Sequence, residues 1–352
     1  MRAATAWIVG ALLAQAALGA QTGINAERLR LAADFSAANR GISMLVMVDG
    51  RIVFEDYPNG GSAGRAHELA SGTKSFSGVL AVAAAQDGLL RLDEKVADTL
   101  PEWRKDRRKA RITLRQLLSL TSGLETDVAN PPTYAEAIAK PVVDAPGTKF
   151  TYGATAFQVF GEVMRRKLAP RGEDPLAYLK RRIFDPIGLA IGRWRRGSDG
   201  NPQLPSGAAL TAREWAKFGE LVRRGGTWNG KRLLDRKLLD QCFEGTPQNP
   251  AYGLTWWLNR EVPPALRRTI PILRRQGLGQ ADLWVERGLP ADLVIAGGAG
   301  DQRLYVSREQ KLVVVRQAEG ILDSLFGGRT NFTDHEFLAR LLLGQDAAGR
   351  DL

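Results

Sequence analysis

Strand-forming runs lie near both ends of this chain, and a long stretch with helical spacing separates them. Gly41-Ile-Ser-Met-Leu-Val-Met-Val48 and Arg51-Ile-Val-Phe-Glu55 flank Asp49-Gly50, a strong hairpin signal. Arg303-Leu-Tyr-Val306 and Lys311-Leu-Val-Val-Val-Arg316 flank a polar turn and read as a second hairpin, with Asp282-Leu-Trp-Val-Glu286 as a further strand. Between them, apolar spacing and capping residues predict helices at 133–139, 154–167, 175–184, 211–224 and 235–243. A first helix is expected at 27–39 and a last one at 334–343, started by Thr333. One antiparallel sheet assembled from both chain ends, flanked by helices and carrying a mainly helical insert, satisfies that order, so the fold class is α+β. Residues 21–70 and 281–352 should form an α/β lobe and residues 71–280 a helical lobe, within a single domain. The active site is expected in the crevice between them.

The most informative local stretch is Ser71-Gly-Thr-Lys74, which runs into the apolar residues Val79, Leu80, Val82, Ala83 and Ala84 before Asp87-Gly88. That run predicts a buried helix with Ser71 in its first turn. Positions i and i+3 share a helix face, so the ammonium of Lys74 sits beside the hydroxyl. Burial lowers a lysine pKa, and a neutral amine can take the serine's proton. Free N–H groups at the helix start can receive an oxyanion. The pattern fixes only two positions and recurs by chance about once in a chain this long, so partners elsewhere must carry the case.

Two other stretches supply them. Pro146-Gly-Thr-Lys-Phe-Thr-Tyr-Gly-Ala154 puts Tyr152 on a loop just before a helix. Beside a lysine, a phenol is either held as phenolate or relays protons through its hydroxyl. Ile295-Ala-Gly-Gly-Ala-Gly-Asp-Gln-Arg-Leu-Tyr-Val306 is a glycine cluster feeding a strand. There Gly298, Ala299 and Gly300 allow close approach of backbone to a ligand. The Ala299 N–H is expected to complete an oxyanion hole with that of Ser71. No helix follows the cluster, which excludes a dinucleotide-binding turn.

Composition bounds the remaining chemistry. The 352 residues carry a net charge of +11, with 44% hydrophobic and 25% charged side chains, which is ordinary globular composition. The basic runs at 104–109 and 193–196 are expected to be solvated faces, with an attraction to anionic cell-envelope polymers as a secondary effect. No nucleic-acid module is present in the sequence. Residues 1–20 read as a secretory signal peptide, with Arg2, an apolar run to Leu18 and small residues at the end. The mature protein is then expected to be periplasmic or secreted, without stable membrane insertion. Cys242, the only cysteine, is expected to be a buried structural thiol. With only His67 and His335, neither a zinc site nor a histidine triad is expected, and no cofactor is called for. His67 is expected to be structural, and His335 to face solvent.

Taken together, these stretches resemble the serine β-lactamase-related, penicillin-binding-protein-like hydrolases, in particular the class C β-lactamase and esterase branch. The resemblance runs from about Ser43 to Arg316. Ser71-Gly-Thr-Lys74 is similar to the family's first motif, Leu117-Leu-Ser-Leu-Thr-Ser-Gly-Leu124 to its "LLxxTSGL" helix end, and Tyr152 to the start of its Tyr-x-Asn motif. Gly225 to Leu234 and Tyr252-Gly-Leu-Thr-Trp-Trp257 resemble helical-lobe segments. The resemblance implies an acyl-enzyme mechanism with Ser71 as nucleophile, Lys74 and Tyr152 as proton acceptors, and Tyr152 as proton donor to the leaving group. Two positions depart from the pattern. Ala154 stands where the family has Asn, and glycines stand where a cationic third motif receives a substrate carboxylate; Arg303 is the one candidate to replace that cation. The expected substrate is therefore a carboxylic ester or small amide. A β-lactamase or D-alanyl-D-alanine carboxypeptidase, or a non-catalytic sensor or scaffold, is the alternative.

Overall fold

A computed structural model of the chain describes residues 23–270, 272, 288–326, 328, 330–346 and 348–352. The expected signal peptide at 1–20 and the expected strand at 282–286 lie outside the described residues. Five helices organise the fold: α1 (Ala26–Ala38), α2 (Lys74–Gln86), α3 (Thr155–Leu168), α4 (Ala212–Arg223) and α5 (Asp334–Leu342). The strands are β1 (Gly41–Val48), β2 (Arg51–Asp56), β3 (Trp257–Leu258), β4 (Val294–Gly298), β5 (Gln302–Ser307) and β6 (Leu312–Ala318).

These strands form one six-stranded sheet in the order β2-β1-β6-β5-β4-β3, with every neighbouring pair antiparallel. The two chain ends meet at its centre, where Leu45 pairs with Val315 and Met47 with Val313. Strands β1 and β6 are buried along their whole length, which explains their near-continuous apolar runs. Both sheet faces are covered. Arg316 points to α1, where its Nε donates to Ser36 Oγ at 3.0 Å. Val313, three residues earlier and so on the opposite face, lies against α4. A Cβ on Gly219 of α4 would sit 2.7 Å from Val313 Cγ1. Helix α5 packs on α1.

The middle of the chain is helical, as the capping residues imply. Thr133 and Glu136 cap each other's backbone N–H groups, as do Thr113 and Gln116. Helix α3 packs on both of those short helices, Tyr134–Ala139 and Leu114–Leu118. Two pieces of the 71–280 stretch belong to the sheet layer instead: α4 lies on the sheet and β3 extends its edge. Helix α2 is buried from Lys74 to Ala84, which is why it is apolar all round.

Two expectations about charged residues need correction. His335 does not face solvent; it is buried on α5 because that helix closes over the sheet. In the basic run at 104–109, Lys109 is buried and its Nζ donates to Ile138 O at 2.8 Å, while Arg108 Nη1 donates to Val142 O. Those two cations brace the backbone.

Candidate active site

Ser71 lies in a 3₁₀ turn, Ala70–Thr73, that leads directly into α2. The preceding strand is only His67–Glu68, paired with Ala209 and Leu210. Ala70 adopts φ 45°, a left-handed conformation that costs a side-chain-bearing residue about 1–2 kcal/mol. Hydrogen bonds on either side hold it: Leu69 N–H donates to Ala208 O (2.9 Å), and Gly72 N–H donates to Leu69 O (2.8 Å).

One turn on, Lys74 Nζ donates to Ser71 Oγ at 2.9 Å and to Pro205 O at 3.1 Å. The rings of Tyr152 and Phe157 lie 5.0 and 5.3 Å from the same nitrogen. Lys74 is 2% exposed and forms no ion pair among the described residues. Desolvation therefore acts unopposed and lowers its pKa to about 7. At neutral pH a large fraction of this amine is unprotonated and able to accept the serine proton.

Tyr152 completes the contact. The side chains of Ser71 and Trp257 both act on its phenol, and the Trp257 ring stacks on it with centroids 5.6 Å apart. Burial pushes the phenol up to about 12, against the opposing effects of the Ser71 side chain, the Arg303 charge and the Trp257 side chain. The phenolate alternative is thus disfavoured near pH 7, and Tyr152 is a neutral hydroxyl able to relay a proton. Ala154, in place of the expected amide, is fully buried and its N–H donates to Asp127 O. The Pro205 carbonyl provides the second acceptor for Lys74.

The glycine cluster forms the wall beside Ser71. A Cβ at Gly298 would fall 2.1 Å from Leu69 O and 3.1 Å from Gly72 N, so only glycine lets β4 approach the nucleophile turn so closely. Gly298→Ala is expected to destabilise the fold by about 1–3 kcal/mol, read by urea unfolding, and to lower kcat for an ester more than it changes KM. Ala299 follows directly, and its N–H meets no acceptor among the described residues. Gly300 faces elsewhere: at φ 69° it packs on the Gly320–Ile321 backbone. Arg303 is turned into the protein, not toward solvent. It is 2% exposed, with Nε 2.6 Å and Nη2 3.2 Å from the Asp334 carboxylate. Arg303 and Tyr305 are two residues apart on β5 and so share a face; both reach Asp334, which sits where α5 begins, over that face of the strand.

The other candidates lie apart from this chemistry. His67 Nε2 is 2.9 Å from Ala318 O and ties the short strand to β6. Cys242 is buried, and burial raises its thiol to about 12, leaving it inert as a nucleophile. Sequence reading missed two members of the site. Pro205 contributes a backbone carbonyl, which any residue type supplies. Trp257 was visible only as part of an aromatic segment, with nothing to place it against Tyr152.

Comparison with known proteins bears on the fold. The chain is similar to a family VIII carboxylesterase structure (TM-score 0.63, 18% identity, 91% of this chain and 97% of that one). It is also similar to a D-stereospecific amidohydrolase from Streptomyces (TM-score 0.59, 16% identity, 86% and 99%). Among curated proteins, it is 35% identical over 66 residues to protein flp of Staphylococcus aureus; the match covers 18% of this chain and only 13% of that protein. The β-lactamase family model matches residues 28–318. By that match and by the α+β, β-lactamase/transpeptidase-like fold, the chain belongs to the β-lactamase family.

Proposed function

We propose that this chain is a secreted serine hydrolase that cleaves a carboxylic ester or small amide through an acyl-enzyme. The contact between Lys74 Nζ and Ser71 Oγ, 2.9 Å in a buried setting without a carboxylate, carries the reading. Ser71 Oγ attacks the carbonyl carbon while its proton passes to Lys74, directly or through Tyr152. The N–H groups of Ser71 and Ala299 receive the oxyanion. Tyr152 then returns the proton to the leaving alkoxide or amine, and water, activated by the same pair, attacks the ester to release acid and free Ser71.

Burial of Arg303 against Asp334 supports ester or amide over β-lactam, since no cation of the glycine-rich wall is left to meet a substrate carboxylate. The carboxylesterase and amidohydrolase likenesses point the same way. Among the described residues no helix is long and apolar enough to cross a membrane. The net charge of +11 favours weak contact with an anionic cell envelope.

Incubation with a fluorophosphonate, intact mass measurement and a panel of short-chain esters, short amides and nitrocefin test the reading. A single adduct on Ser71 and ester turnover at least about a hundredfold above nitrocefin turnover are expected, the size of a lost carboxylate ion pair. A stable adduct without turnover on any substrate indicates a sensor, and no adduct a scaffold. Tyr152→Phe is expected to keep the fold and lower kcat about 10²–10³-fold with little change in KM, measured by steady-state kinetics on a p-nitrophenyl ester.

A further inference from the structure

The glycine cluster leaves a mechanical difficulty. An oxyanion donor must be fixed before the reaction, yet Gly297, Gly298 and Gly300 carry no side chains to fix the peptide planes around Ala299. The structure supplies the fixing from behind. Arg303 stands opposite Gly297 in the β4–β5 pair. Its Nη1 donates to Gly298 O at 3.0 Å and to Gln302 O at 3.0 Å. Its other nitrogens are held by the Asp334 carboxylate, which also accepts from Tyr305 Oη at 2.6 Å. Arg303, Tyr305 and Asp334 are all buried.

The peptide joining Gly298 to Ala299 is trans. In a trans peptide the C=O and N–H point in opposite directions. Pinning Gly298 O toward Arg303 therefore turns Ala299 N–H away from it. Arg303 shares the face of its ladder partner Gly297, so the next residue, Gly298, presents its Cβ direction to the other face; that is the face where a Cβ would meet Leu69 O and Gly72 N, on either side of Ser71. Neither Ser71 N–H nor Ala299 N–H has an acceptor among the described residues. Donation from a guanidinium to the carbonyl also polarises the peptide and strengthens its N–H as a donor.

We propose that Arg303, locked by Asp334, is a positioning residue that aims the Ala299 N–H at the oxyanion formed on Ser71. The proposal rests on the serine-hydrolase reading above and deepens it. Arg303 touches no reacting atom; it acts through one peptide plane.

The test uses Arg303→Lys and Asp334→Asn with two measurements: steady-state kinetics on a p-nitrophenyl ester, and inhibition by an alkyl boronic acid, whose Ser71 adduct places an oxygen where the oxyanion forms. For both variants, kcat and boronate affinity should fall together by about 10- to 100-fold while KM stays within about twofold. The apparent inhibition constant scales only with the reciprocal of the folded fraction, so for a variant that is still almost fully folded a loss of stability alone leaves it essentially unchanged. Folded variants with lowered Tm but wild-type boronate affinity would show a structural role only and overturn the proposal. A second measurement needs no variant: in wild-type protein, the Ala299 amide proton should move downfield on boronate binding, and an unmoved resonance overturns the proposal. If wild-type protein forms no boronate adduct, or Ser71→Ala retains ester turnover, it is the hydrolase reading that has failed.

Discussion

Ser71→Ala is expected to lower kcat/KM for p-nitrophenyl butyrate by about four to six orders of magnitude, with the protein still folded. The size follows from the chemistry, since the variant lacks the atom that forms the covalent bond. The oxyanion donors and binding surfaces alone recover only a small part of the rate. Stability should change little, because Lys74 Nζ keeps the Pro205 carbonyl as an acceptor when the hydroxyl is removed. Intact mass after fluorophosphonate treatment checks the same point without kinetics: the wild type gains one adduct and the variant none. Retention of more than about one per cent of turnover, well above the rate expected without the nucleophile, would place the nucleophile elsewhere.

The second large effect is at Lys74, where activity and stability should move in opposite directions. Lys74→Met removes the base and is expected to lower kcat/KM by about 10³–10⁵-fold, since the serine proton then has no amine to accept it. In the wild type the rate should rise with pH and level off above an apparent pKa near 7, because only the neutral amine accepts a proton. The stability sign follows from the same shift. Below pH 7 the amine is protonated in both states, and the folded state bears the desolvation. Between about 7 and the ordinary lysine value of 10.5, the unfolded chain holds a proton that the folded protein lacks. Stability therefore rises with pH across that window. Methionine fills a similar volume without a charge, so Lys74→Met should raise Tm at pH 6 by several degrees, each kcal/mol being about 2–4 °C in a chain of this class. Thermal melts at pH 6 and pH 9 check this, and the gain should shrink at the higher pH. A lower Tm for the variant at pH 6 contradicts the assignment of Lys74 as a buried, unpaired amine.

Much of the fold was legible because its signals are local. Asp49-Gly50 set the first hairpin, Thr211 capped α4 through Glu214 N–H, and the apolar run after Lys74 announced a buried helix. The pairing of β1 with β6 could be anticipated only from their shared apolar character, and the register between Leu45 and Val315 could not. The site was legible to the same degree. A spacing of three on one helix face is a geometric statement, and it brought Ser71 to Lys74. Tyr152 and Ala299 came from loop composition and family resemblance, which name residues without aiming them. Arg303 was misjudged because strand alternation leaves two faces open to a side chain. Its partner Asp334 lies 31 residues away on a helix whose packing no local pattern reveals. The Pro205 carbonyl has no side-chain signature at all. Long-range tertiary placement decided each of these, and no window of sequence encodes it.

The meeting of both chain ends at the middle of the sheet bears on how the molecule is made. During synthesis, the first hairpin emerges with one long apolar border unpaired, and its mate at Leu312–Ala318 follows only after the whole helical stretch has been made. Until then the strand Val294–Gly298 has no completed sheet to hold it against the Ser71 turn. Such a topology delays closure of the core until β6 has been made. It leaves any chain truncated before Leu312 with an open, aggregation-prone border.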